Sequence, residues 1–104
     1  MKKTHIIKLD LTGCTHIIDM HDRIAKAFDF PDYYGKNWDA FWDLIGGPWD
    51  YIDVQIQGIY SLPDYLKESG EMMISLLERS KEHQEELLRT HPQFDYHFEY
   101  SVIS

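Results

Sequence analysis

Two short stretches in which apolar side chains alternate with polar ones, and a third rich in β-branched and apolar residues, are separated by stretches with helical spacing, and few folds satisfy that order. Ile52, Val54 and Ile56 alternate with Asp53, Gln55 and Gln57, a period of two that stops at Gly58. Residues Thr4 to Leu11 are rich in β-branched and apolar side chains and stop at Thr12-Gly13. Near the C-terminus Tyr96, Phe98, Tyr100 and Val102 alternate with His97, Glu99 and Ser101. Strands separated by helices need crossover connections, so the pattern predicts an α/β fold: a small three-stranded parallel sheet packed with about four helices.

The first helix follows Thr15, a candidate N-cap. In it Ile17, Met20, Ile24, Ala27 and Phe28 recur at three- and four-residue steps, and Pro31 ends it. A second runs from Trp38 to about Ile45, with Asn37 as its cap and Gly46-Gly47-Pro48 as its stop. Ser61-Leu62-Pro63-Asp64 has the form of a capping box opening a short third helix that reaches Ser69-Gly70. A longer fourth helix follows, with Met73, Leu76, Leu77 and Ser80 inward. From Lys81 to Arg89 it turns polar around Leu87 and Leu88, the composition of an exposed or frayed half.

A chain of 104 residues with 43% hydrophobic side chains supports one domain with its own core, spanning residues 1–104. Its formal net charge of -8 argues against direct nucleic-acid binding, which needs clustered Lys and Arg to displace counterions, and favours a basic partner. Cys14 is the single cysteine, so no disulfide forms within the chain, and a reducing compartment, the cytoplasm, is expected. Lys8 and Asp10 interrupt the first apolar run before a signal sequence could form, and no run approaches the roughly 20 apolar residues of a membrane span.

The unusual stretch lies between Phe28 and Asp53. It holds all three Trp together with Phe28, Phe30, Tyr33, Tyr34, Phe41 and Tyr51, and its six acids face a single base, Lys36. On a helical wheel Trp38, Phe41, Trp42 and Ile45 share one face, Ala40 and Leu44 fall toward the opposite flank, and Asp39 and Asp43 form the polar stripe. Two like charges at i and i+4 cost an isolated helix roughly 0.2–0.5 kcal/mol. Asp39 lies in the first turn, where the helix dipole favours an acid, but Asp43 lies a turn deeper. The pair therefore reads either as a solvated acidic face or as a binding face for a basic partner. A third reading, paired carboxylates holding Mg²⁺ in an enzyme, lacks the further ligands and the basic groups such chemistry uses. The six His show no metal-ligand spacing and read as surface residues, and Cys14 has no His or Asp partner for nucleophilic work.

The run Pro31-Asp32-Tyr33-Tyr34-Gly35-Lys36-Asn37-Trp38-Asp39-Ala40-Phe41-Trp42-Asp43-Leu44 resembles the signature of the barstar family, and the likeness extends loosely along most of the chain. The resemblance implies a three-stranded parallel sheet with helices and an intracellular, non-catalytic inhibitor of a microbial ribonuclease of the barnase type. In such proteins the loop and helix cover the nuclease active site. By position, Asp43 would enter the pocket for substrate phosphate, with Asp39 beside it as a second mimic of phosphate charge. Tyr33 would pack on the nuclease, Gly35 and Asn37 would present the loop, Trp42 would stand at the contact edge, and Gly47 and Trp49 would follow the helix. Neither cofactor nor metal is required, and a monomer forming a 1:1 complex is expected. An immunity protein, or a binding module of the same fold for another basic partner, is the alternative.

The chain also departs from the family. Arg79 stands where the later helix of the family supplies an acidic contact, Leu44 takes the place of a helix cysteine, and residues 83–93 form a longer polar connection.

Overall fold

The computed structural model describes residues 3–45 and 51–103. Strand β1 (His5–Asp10) leads into helices α1 (Ile17–Phe28) and α2 (Trp38–Leu44). Strand β2 (Tyr51–Gln57) is followed by a 3₁₀ turn (Ile59–Ser61), helix α3 (Asp64–Thr90) and strand β3 (His97–Val102). The strands form one parallel sheet in the order β1-β2-β3. Each crossover carries helix, α1 and α2 in the first and α3 in the second, as strands of one direction require.

The alternation in sequence sets which side of the sheet faces the core. Ile7 lies opposite Val54 and Leu9 opposite Ile56, while Ile52 lies opposite Phe98, and all six are buried. The residues between them, Ile6, Lys8 and Asp10 on β1 and Asp53 and Gln55 on β2, are exposed or half-buried. Parallel sheets are commonly covered on both faces and read as continuous apolar runs. This one covers a single face, which is why its strands show a period of two.

Helix α1 buries Met20, His21, Ile24 and Phe28. His16, not Thr15, takes its N-cap position and makes no side-chain cap bond, while Thr15 bonds instead to the His16 ring at 2.9 Å. The helix stops before Pro31, because Asp29 turns into the left-handed region at φ 55° and the Phe30 N–H returns to the Ala25 carbonyl at 2.9 Å.

Among the described residues there are three α-helices, where about four are expected from the sequence. The two segments read as separate on either side of Gly70 are one helix of 27 residues. Gly70 does not break it. It is buried where the segment before α3 crosses the helix, and a side chain there would press within 2.9 Å of Leu62 Cδ1. Ser61 ends the 3₁₀ turn instead of capping α3, its hydroxyl donating to the Gly58 carbonyl at 2.7 Å, and Pro63 takes the N-cap position of α3. Gly58 holds the preceding corner at φ 83°, where any side chain would collide with the backbone and hydroxyl of Thr12. Along α3 the buried residues are Leu66, Gly70, Met73, Leu76, Leu77 and Ser80. The polar half beyond them stays helical to Thr90, with Leu87 and Leu88 half-buried.

Candidate partner-binding surface

Two adjacent tyrosines divide the loop between α1 and α2 into an inner and an outer side. Tyr34 is buried, with its ring 4.9 Å from that of Phe30 and its hydroxyl 2.7 Å from His21 Nδ1. Burial pushes its phenol up to about 12. Tyr33 points the other way and is 80% exposed. The turn is closed by the Tyr34 N–H donating to the Pro31 carbonyl at 3.0 Å. Lys36 sits in the left-handed region at φ 52° and pairs with Asp22 of α1 at 2.9 Å.

Asn37 joins this loop to α2. Its side-chain oxygen accepts from the Ala40 N–H at 2.8 Å as the predicted N-cap, and its amide donates back to the Gly35 carbonyl at 3.2 Å. From that cap α2 presents two sides. Phe41 and Ile45 are buried, with Phe41 meeting the edges or faces of Phe28, Phe30 and Trp38. Trp38, Ala40 and Leu44 are half-buried against the same core. Asp39, Trp42 and Asp43 are exposed.

The helical wheel therefore needs two corrections. Trp42 is not on the core face with Trp38, Phe41 and Ile45: it is 39% exposed and stands between the two aspartates in sequence. Leu44 and Ala40 do pack inward, because a short helix held between α1, through His21 and Phe28, and α3 buries more than one stripe. The guanidinium of Arg79 on α3 lies 5.9 Å from the centre of the Trp42 ring.

His21 is a third correction, since the sequence reading places it on the surface and it is 1% exposed. Its ring packs 4.4 Å from that of Trp38 as well as bonding Tyr34, so it supports the loop and the first turn of α2 from beneath. Burial holds its imidazole below the ordinary value, with the nearby Asp22 carboxylate pulling the other way. The signal was present in the sequence. His21 falls four residues after Ile17 and three before Ile24, inside the apolar stripe of α1.

Tyr33, Gly35, Asn37, Asp39, Trp42 and Asp43 are thus all exposed on one continuous loop and helix. Gly47 and Trp49, also singled out from the sequence, lie outside the described residues. Cys14 is buried, and burial followed by the Asp19 carboxylate pushes its thiol up, away from a nucleophile. Among the described residues no group of three or more His, Cys, Asp and Glu side chains could hold a metal ion, and no helix is long and apolar enough to cross a membrane.

A family model described as Barstar (barnase inhibitor) matches residues 4–99, through the sheet, all three helices and this surface. The chain belongs to the barstar family. A curated relative in Bacillus subtilis (strain 168), named "Putative ribonuclease inhibitor YrdF", is 54% identical over 28 residues, which cover 27% of this chain and 31% of that protein. Within this barstar-family chain the contact between Arg79 and Trp42, like the burial of His21, joins elements that no local sequence pattern connects.

Proposed function

We propose that this chain inhibits a ribonuclease of the barnase type by laying the loop at 31–37 and helix α2 across the nuclease active site. Asp43 enters the pocket that holds substrate phosphate, Asp39 meets neighbouring basic groups, and Tyr33 and Trp42 supply the aromatic contact area. Gly35 and Asn37 shape the loop, with Gly47 and Trp49 completing the edge beyond α2. Inhibition is occlusion: it needs neither cofactor nor turnover, and one inhibitor monomer covers one nuclease within the cytoplasm.

The observation that carries this reading, beside family membership, is the exposure of Asp39 and Asp43 on a helix whose other side is locked into the core. Two carboxylates held one turn apart repel each other in the free protein. Arginine and lysine side chains of a partner relieve that repulsion and form charge-assisted hydrogen bonds, stronger than neutral ones. Charge of one sign on one face also steers a basic enzyme toward it, an effect the barnase–barstar pair itself exemplifies.

The test is titration of the purified chain, alongside Asp43→Ala, into RNA-cleavage assays with a panel of barnase-type ribonucleases. Stoichiometric inhibition by the native chain that is lost in a folded Asp43→Ala variant is expected. A folded native chain that inhibits no member of the panel overturns the reading.

A further inference from the structure

The three arginines of the chain differ in how their charge is met. Arg23 pairs with Asp19 at 3.3 Å and Arg89 with Glu86 at 2.6 Å, each using an acid about one helical turn away. Glu82 stands three residues beyond Arg79 and offers the same geometry. Arg79 does not take it: among the described residues no carboxylate lies within ion-pair distance of its guanidinium, in a chain with 18 acids against 10 Lys and Arg. The neighbouring acid Glu78 is engaged elsewhere, accepting from the Tyr100 hydroxyl at 2.6 Å.

What holds Arg79 instead is the exposed ring of Trp42, 5.9 Å away on α2. A guanidinium over an aromatic ring is attracted through its face and keeps the N–H groups along its edge free for a planar carboxylate. Trp42 thus holds an exposed cation against the helix that carries Asp39 and Asp43, while the other base of this stretch, Lys36, is taken up by Asp22. That is an arrangement of both signs, and a partner that fits it needs basic groups for the aspartates and an acid for the arginine.

We infer that Arg79 is a specificity-determining residue of the inhibitory surface, positioned over Trp42 to bond a carboxylate on the rim of the nuclease, an inference that rests on the proposed inhibitor function. It selects among basic nucleases by rewarding an acidic rim and penalising a basic one.

The experiment compares the native chain with Arg79→Glu and Arg79→Gln against barnase-type ribonucleases whose active-site rims differ in charge. The native chain is expected to bind best where the rim carries a carboxylate. For such a nuclease Arg79→Glu weakens inhibition roughly tenfold or more, Arg79→Gln does so less, and replacing the rim carboxylate by Lys restores binding to Arg79→Glu. Arg79 is exposed, so both variants are expected to fold, and circular dichroism checks it. If the native chain inhibits and both variants keep its potency and its ranking of the panel, this inference falls and the inhibitor reading stands. If the folded native chain inhibits nothing, both fall.

Discussion

His21 Nδ1 on α1 lies 2.7 Å from the hydroxyl of Tyr34 in the loop that presents α2. The adjacent α1 residue, Asp22, grips the same loop through Lys36. Two consecutive side chains of one helix therefore fix the loop at Tyr34 and Lys36, one through a buried hydrogen bond and one through a surface ion pair. The buried bond is the stronger restraint, since the ion pair is half-exposed and pairs of that kind contribute about 1 kcal/mol or less.

That bond makes stability depend on pH. Burial holds the His21 imidazole below its ordinary 6.5 in the folded protein, so the folded chain binds fewer protons there than the unfolded chain. The contribution is complete above about pH 6.5 and is lost as pH falls from there toward the depressed folded value. Urea midpoints of the native chain should fall between about pH 8 and pH 5, and those of His21→Gln should fall less over the same range. The Glu99 carboxyl, held below its usual value first by the Lys81 hydrogen bond, loses its contribution only as pH falls from its ordinary 4.5 downward, so the two are separable. A native midpoint that does not move with pH contradicts the role given to His21.

Trp42→Ala separates surface from core. Because the ring is exposed beside Arg79, its loss should cost the free protein about 1 kcal/mol or less, the worth of an exposed cation–π contact. As Trp42 is an aromatic contact of the proposed interface, its loss should weaken nuclease inhibition by about 2 kcal/mol or more. Denaturation and inhibition assays on the same preparation read both. Loss of several kcal/mol of stability would return Trp42 to the core.

Asn37→Ala removes the cap of α2 and the tie to Gly35 together. A lost cap costs about 1 kcal/mol, so the unfolding free energy from urea titration should drop by that amount. Asn37→Asp keeps the acceptor and should restore much of the stability. Equal destabilisation by the two variants would show that the cap oxygen is not what matters.

Gly58→Ala tests the corner between β2 and the 3₁₀ turn. The position combines a left-handed backbone with close approach to Thr12, so the variant should lose about 2 kcal/mol or more, measured by thermal or urea unfolding. Gly13, also left-handed but with open space around it, should lose less when changed to Ala.

Strand β2 is legible because it shows its burial directly as alternation, whereas in β3 the same spacing buries only Phe98 and leaves Val102 exposed; Asn37 is legible because a cap is a local bond between neighbours in sequence. The break expected at Gly70 failed for a physical reason. A glycine that ends a helix and one that admits a crossing segment look alike until the crossing residue, Leu62, is in place. The wheel misplaces Trp42 because seven residues leave little to average over, and α2 is covered by both α1 and α3. His21 was passed over on residue type although its spacing placed it in the stripe. Arg79 and Trp42 are 37 positions apart in the chain, and only packing of α3 on α2 joins them.

The 27 residues of α3 form one element by geometry, yet its amides need not share one protection against exchange with solvent. The stretch from Asp64 to Ser80 carries all of the helix's buried residues, so its hydrogens exchange only when much of the core opens. The turns beyond lean on half-buried Leu87 and Leu88 alone among apolar residues and can open without disturbing the sheet. Arg79 sits where these two regimes meet. The contact with Trp42 is therefore anchored from the slow-exchanging side, while the helix just past it is free to adjust.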